Sequence, residues 1–187
     1  EVSGMDRTFS GRPNSLRLRG VDYGSPGAYF ITICTHQRKC SLAVVKDSQI
    51  ELTELGRLVQ ASWLSVPSWF SHVNLDHFVI MPNHLHGILN LVDSGSSLGT
   101  VIGSFKSATS RLAHRALLTQ RNRLWQRGFF DHIVRSEPAL FRLRQYIEDN
   151  PAQWHLDELN SSAISGGATH GVSPTIDFAS LIDSTSQ

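Results

Sequence analysis

Residues 78–91, Phe-Val-Ile-Met-Pro-Asn-His-Leu-His-Gly-Ile-Leu-Asn-Leu, limit how this chain can fold more than any other stretch. Two apolar, β-prone runs meet at Pro82-Asn83, which reads as two strands joined by a turn. Side chains alternate along a strand, so His84 and His86 share one face while Leu85 points to the other, toward a core. Their Cα atoms then lie about 7 Å apart, a gap that one metal ion bridges. The plain alternative is one partly buried, hydrogen-bonded histidine and one surface histidine. The pair follows directly on a turn at a strand start, where functional residues collect, so both readings stay open.

The rest of the chain supplies partners for this hairpin. Residues 28–35 are dense in aromatic and β-branched side chains and read as a strand. Residues 42–45 and 49–52 read as a small hairpin across Lys46-Asp47-Ser48. Residues 53–66 carry an apolar stripe of Leu55, Leu58, Val59 and Trp63 and read as a helix ended by Pro67. A second helix is expected over 98–118, with Leu98, Val101, Ile102, Phe105, Leu112, Ala113 and Ala116 on one face. Residues 124–135 read as a strand or extended segment. Ser136 caps a third helix that runs to about Asp149, ahead of Pro151. There are no internal repeats. The pattern predicts an α+β domain, a central antiparallel β-sheet with helices packed on one face and the other face free for a ligand.

A chain of 187 residues with 40% apolar content can bury one core, so a single domain with tails is expected. We divide it into a basic extended arm over 1–27, a domain over 28–157 and a flexible Ser/Gly-rich tail over 158–187. Glu1 opens the chain, and Met5 is a candidate native start. Net charge is only +1, but Arg7, Arg12, Arg17 and Arg19 stand in the arm with no acid between them. That asymmetry favours an anionic partner there, with a solvated basic tail as the alternative. Cys34 and Cys40 match no common zinc spacing and make no disulfide framework, so reduced cysteines are expected. No apolar run spans a bilayer and no signal-peptide pattern is present, so a cytoplasmic protein is expected.

In the third helix Leu140, Leu143 and Ile147 form the apolar stripe, and Tyr146 falls on its edge, with an apolar ring and a wet hydroxyl. Asn150 lies four residues on, so both can reach one point. Its amide oxygen is a hard ligand that could join His84 and His86 around a divalent cation. It can equally serve as the helix C-cap before Pro151.

Met81-Pro82-Asn83-His84-Leu85-His86-Gly87, taken with Tyr146-Ile147-Glu148-Asp149-Asn150-Pro151, resembles the single-tyrosine HUH (IS200-like) transposases, and within them the REP-associated tyrosine transposases of bacteria. The likeness extends to Arg17-Leu18-Arg19-Gly20, to residues 27–35, to Ile102-Gly103-Ser104-Phe105-Lys106-Ser107 and to residues 124–132, in the expected order. The resemblance implies a ferredoxin/RRM-like HUH nuclease fold, with the histidines on a central strand and the tyrosine on a helix beside it. It implies Tyr146 as the nucleophile of a single-stranded DNA endonuclease and strand transferase that cuts at repeat hairpins. The product would be a 5′-phosphotyrosine link and a free 3′-OH. It implies a divalent metal, Mg2+ or Mn2+, held by His84, His86 and the polar residue one turn after the tyrosine, here Asn150. It further implies a bacterial, nucleoid-associated protein acting as a monomer or homodimer.

For the DNA, Arg12, Arg17 and Arg19 in the arm are candidate phosphate contacts, with Lys106, Arg111, Arg127 and His132 in the domain. Phe129 and Phe130 fit core packing better than base stacking. Two rival readings stand beside this one. A hairpin-binding module without cleavage activity would form no covalent adduct. A phosphoesterase acting on small nucleotides would need a second His motif or a carboxylate cluster near the metal, and neither is evident in the sequence.

Overall fold

The computed structural model describes residues 25–160 apart from 94, 120–122 and 158. Most of the expected arm and tail, including Arg12, Arg17 and Arg19, lies outside the described residues. The first strand, β1 (Gly27–Cys34), is followed by a short hairpin of β2 (Ala43–Lys46) and β3 (Gln49–Leu52). Asp47 and Ser48 turn this hairpin with φ of 47° and 62°, the left-handed geometry that matches the twist of tightly connected strands.

Helix α1 (Glu54–Leu64) starts at Thr53, whose hydroxyl accepts from the Gly56 amide. It ends before Pro67, which sits in the first turn of a one-turn helix, α2 (Val66–Trp69). Gly56 is required here by close approach: a Cβ at this position would collide with the Leu42 carbonyl oxygen. Gly56→Ala is therefore expected to cost about 3 kcal/mol, the upper end of overpacking penalties. The urea midpoint would report it.

The remaining elements are β4 (Val73–Ile80), β5 (His84–Leu91), α3 (Leu98–Arg115), β6 (Phe130–Val134) and α4 (Glu137–Asp149). One antiparallel sheet runs β4-β5-β1-β6, so the strand bearing both histidines is central. Alternation divides it into two faces. Tyr29, Ile31 and Ile33 of β1 join Leu85, Leu89 and Leu91 of β5 in the larger core, against Val59 and Trp63 of α1 and Val101, Ile102 and Phe105 of α3. Phe30 and Ile88 point the other way and pack against Leu143 and Ile147 of α4.

The α+β architecture expected from the sequence is present, and α1 and α3 share one face of the sheet. Helix α4 lies on the opposite face, so that face is divided between a helix and the histidines. The buried stripe of α3 differs from the expected one at three positions. Leu112 is exposed, Ala116 is exposed just past the helix end at Arg115, and Thr109 is fully buried. The stripe 98, 101/102, 105, 109, 113 keeps helical period, and Thr109 is tolerated in it because its hydroxyl donates to Phe105 O and accepts from Trp125 Nε1 at 2.8 Å.

Strand β4 carries a bulge. Leu75 pairs with Leu89 and Phe78 with Gly87, so Asp76 and His77 together oppose the single residue Ile88.

Candidate metal and tyrosine site

Strand alternation brings His84 and His86 side by side on the α4 face, ring centroids 4.4 Å apart, both fully buried. Each ring is held from behind. His84 Nδ1 lies 2.8 Å from Asn83 Oδ1. The Asn83 amide is itself fixed, its Nδ2 donating to Leu159 O at 2.6 Å and Arg38 O at 3.2 Å. Asn83 Oδ1 must therefore accept from His84 Nδ1–H, which leaves the Nε2 lone pair aimed into the site. His86 Nδ1 meets Thr32 Oγ1 of the neighbouring strand at 2.8 Å, and its Nε2 lies 3.3 Å from the Tyr146 hydroxyl. Burial pushes the His86 imidazolium down to about 3 and that of His84 well below its usual range. Both rings are thus neutral at ordinary pH, the form that ligates metal.

Tyr146 comes from α4. Its ring stands 5.3 Å from His86 and 6.1 Å, edge-on, from Phe30. One turn further on, Asn150 ends the helix in a helical conformation (φ −55°, ψ −41°) and is buried. Pro151 stops the helix, and a turn through Trp154–Leu156 carries the chain back. That return brings Asp157 to the histidines, its Oδ2 3.7 Å from His84 Nε2 with only 6% of the side chain exposed. Ligand atoms of His84, His86 and Asp157 all lie within 4.8 Å of one another.

This donor set fits a divalent cation. Two neutral imidazoles and a carboxylate match the ligand preference of borderline ions, and a carboxylate suits Mg2+ as well. His84 Nε2 and Asn150 Oδ1 are buried without a hydrogen-bond partner, each a cost of about 1–3 kcal/mol that a bound ion would relieve.

The structure therefore brings together three of the residues singled out in the sequence, His84, His86 and Tyr146, leaves Asn150 buried one helical turn beyond Tyr146, and adds Asp157. Reading the sequence missed Asp157 because helical spacing stops at Pro151. The only signal was its place among the C-terminal acids, seven residues past Asn150.

The candidate DNA contacts are spread more widely. His132 is the cross-strand partner of Phe30 and so lies on the histidine face, half-buried. Lys106 sits on α3, across the sheet, and its ammonium donates to Gln126 O and Gly128 O, both at 2.6 Å. Arg111 is exposed in an open groove beside Trp69, Phe70 and Ser107. Arg127 is exposed in the segment before β6. Phe129 packs against the larger core and Phe130 against the smaller one, as expected. Cys34 and Cys40 are unbridged, and burial lifts the Cys34 thiol to about 11. Among the described residues no helix is long and apolar enough to cross a membrane.

The family model described as "Transposase IS200 like" matches residues 68–150, which include both histidines, Tyr146 and Asn150 but not Asp157. An uncharacterized protein of Haemophilus influenzae is 31% identical over 166 residues, 78% of this chain and 91% of that protein. Among solved structures, a REP-associated tyrosine transposase bound to a REP hairpin superposes with a TM-score of 0.57 at 19% identity, over 77% of this chain and 76% of the other. A putative transposase from Deinococcus radiodurans gives a TM-score of 0.49 at 20% identity, over 71% of this chain and 95% of the other.

Proposed function

Because the chain belongs to the IS200-like transposase family, we propose that it is a metal-dependent single-stranded DNA endonuclease and strand transferase. Its substrate is a repeat hairpin of the repetitive extragenic palindrome type, and its intermediate is a 5′-phosphotyrosine. One observation carries this reading: the Tyr146 hydroxyl stands 3.3 Å from His86 Nε2, at the edge of the cluster His84, His86 and Asp157. A candidate nucleophile and a candidate metal-ligating set thus stand side by side.

His84, His86 and Asp157 would hold the ion, with Asn150 as a further oxygen donor. A divalent ion bound there supplies Lewis-acid polarisation of the scissile phosphate and offsets charge that develops on it. The chain's own residues do the rest. The Tyr146 oxygen attacks phosphorus as its proton leaves, the Tyr–O–P bond forms, and the P–O3′ bond breaks to release a 3′-OH. A phenol is mostly protonated at neutral pH, and buried neutral His86 is a poor proton acceptor for it, so positive charge beside the oxygen must ease deprotonation. The phosphotyrosine preserves the energy of the phosphodiester, so joining to a second 3′-OH needs no nucleotide cofactor. Asn83 and Thr32 orient the imidazoles from behind. Asn83→Ala is expected to weaken Mn2+ binding about 10–100-fold, measurable by calorimetry.

DNA binding falls to the arm arginines Arg12, Arg17 and Arg19 and to Arg111, Arg127 and His132. Lys106 has one N–H left for a phosphate after its two carbonyls.

The test is incubation of a labelled single-stranded repeat hairpin with the protein and Mn2+ or Mg2+, followed by denaturing gel electrophoresis. A retarded labelled band that needs the ion supports the proposal. Tight hairpin binding with no adduct across a panel of cleavage-site sequences would instead identify a binding module without chemistry.

A further inference from the structure

The clamp that holds α4 lies on the flank of the helix away from Tyr146. Arg144 forms a two-pronged pair with Asp76 of β4, Nε to Oδ1 at 3.0 Å and a terminal nitrogen to Oδ2 at 2.6 Å. His77 extends the pair, its Nδ1 2.6 Å from Asp76 Oδ1 and its Nε2 3.0 Å from Glu148 Oε1. Asp76 is 11% exposed at the side chain and Arg144 36%, so the pair is shielded on its carboxylate side and its strength rests on the two-pronged geometry. Hydrogen bonds from Arg144 are the largest cause that lowers the Asp76 carboxyl to about 2.

The bulge in β4 makes the clamp possible. In a regular strand, residues 75 and 78 would face opposite sides. Here Leu75 and Phe78 both pack on the α1/α3 core, because the extra residue lets Asp76 and His77 both turn toward α4. The bulge costs the edge strand a regular ladder and provides two polar groups that reach Arg144 and Glu148.

Helix geometry connects the clamp to the nucleophile. At 100° per residue, buried Ala139, Leu143 and Ile147, with Leu140 partly buried beside them, form the stripe that faces the sheet. Arg144 and Glu148 lie along one flank of that stripe, and Tyr146 and Asn150 along the other. The stripe is aliphatic, and apolar packing is non-directional, so it resists lifting of the helix more than rolling. A roll of about 10° moves a group 5–6 Å from the axis by about 1 Å. Misplacement on that scale costs about a hundredfold in a reaction that depends on alignment.

We propose that Asp76 and Arg144 are positioning residues that set the roll of α4 and so aim the Tyr146 hydroxyl and the Asn150 amide at the histidines. This rests on the proposed function for its catalytic consequence, while its structural consequence can be read without it. The experiment compares wild type with Asp76→Asn, Arg144→Gln, the double variant and Arg144→Lys. Single-turnover adduct formation is measured at saturating hairpin and Mn2+, beside hairpin affinity, Mn2+ affinity and amide hydrogen exchange over 140–149.

Each single neutral variant should form adduct about 10–100-fold more slowly. Hairpin affinity should stay within about twofold of wild type, because neither residue is among the proposed DNA contacts, while Mn2+ affinity should fall only as far as displacement of the Asn150 oxygen lowers it, which saturating Mn2+ offsets in the rate measurement. The double variant should be no slower than the slower single one, since both remove the same ion pair. Arg144→Lys keeps charge but loses the fork and should fall between. Exchange over α4 should quicken while that over β1 and β5 does not. Full-rate adduct formation, effects that multiply in the double variant, or unchanged α4 exchange would each overturn the clamp. If wild type itself forms no adduct, the proposed function fails, and the exchange comparison still decides the clamp.

Discussion

Tyr146→Phe is expected to abolish the covalent protein–DNA adduct while leaving hairpin affinity within about twofold of wild type. The substitution removes one oxygen atom. The ring keeps its packing against Phe30 and His86, at 6.1 and 5.3 Å, so the position of α4 should not change. Phe at this position cannot make the hydrogen bond to His86 Nε2, a long one of 3.3 Å at the border of the pocket. A net hydrogen bond contributes about 1 kcal/mol, so the melting temperature should move by only a few degrees. Against that small structural effect stands the complete removal of the attacking oxygen, and among the described residues the hydroxyl beside His86, Thr32 Oγ1, is engaged behind the ring at Nδ1. Adduct formation should therefore fall below detection. The three outcomes separate three mechanisms. An adduct at the wild-type level would place the nucleophile elsewhere. Strand cleavage without an adduct would mean direct attack by water and would revive the phosphoesterase reading, for which Asp157 supplies the carboxylate that the sequence did not reveal. Absence of adduct with binding retained is the expected result.

Local signals in the sequence carried most of the fold that positions this site. Strand β1, the small hairpin, the Ser136 cap and the Pro82-Asn83 turn are all short-range features, set by propensity and hydrogen-bonding chemistry within a few residues. They place the histidines on one face of a strand and the tyrosine at the edge of a helix's apolar stripe, while the central position of that strand was implied by the family resemblance. What stayed hidden depends on long-range contacts. Leu75-Asp76-His77-Phe78 reads as ordinary strand, because nothing in four residues tells a bulge from regular alternation; only its pairing with β5 shows the extra residue. Thr109 reads as polar surface until Trp125, sixteen residues later, places an indole N–H against it. Asp157 joins the site only because the chain reverses after Pro151 and Leu159 is fastened to Asn83. A periodic reading has no means of following a reversal.

His86→Ala should remove the ion from the site, and this effect can be read without any DNA. If Mn2+ binds the folded protein through His84, His86 and Asp157, an ion concentration about 100 times the dissociation constant stabilises wild type by about 2.7 kcal/mol. For a chain of this size that is a rise in melting temperature of about 5–10 °C. Ala at position 86 deletes a central ligand, and the expected drop in affinity exceeds the 10–100-fold that an orienting partner contributes. The Mn2+-dependent rise should therefore disappear, along with adduct formation. The ion-free variant should itself melt a little lower, since the imidazole packs on Phe30 at 5.3 Å and satisfies Thr32. Asp157→Asn refines the assignment. The amide keeps an oxygen of the same reach without the charge, so a carboxylate that ligates the ion should leave a much reduced Mn2+ shift. An unchanged shift would return the oxygen donor to Asn150, whose buried Oδ1 has no hydrogen-bond partner. Persistence of the full rise in His86→Ala would defeat the metal assignment altogether, and the clustering of two neutral imidazoles with a carboxylate would then need another explanation.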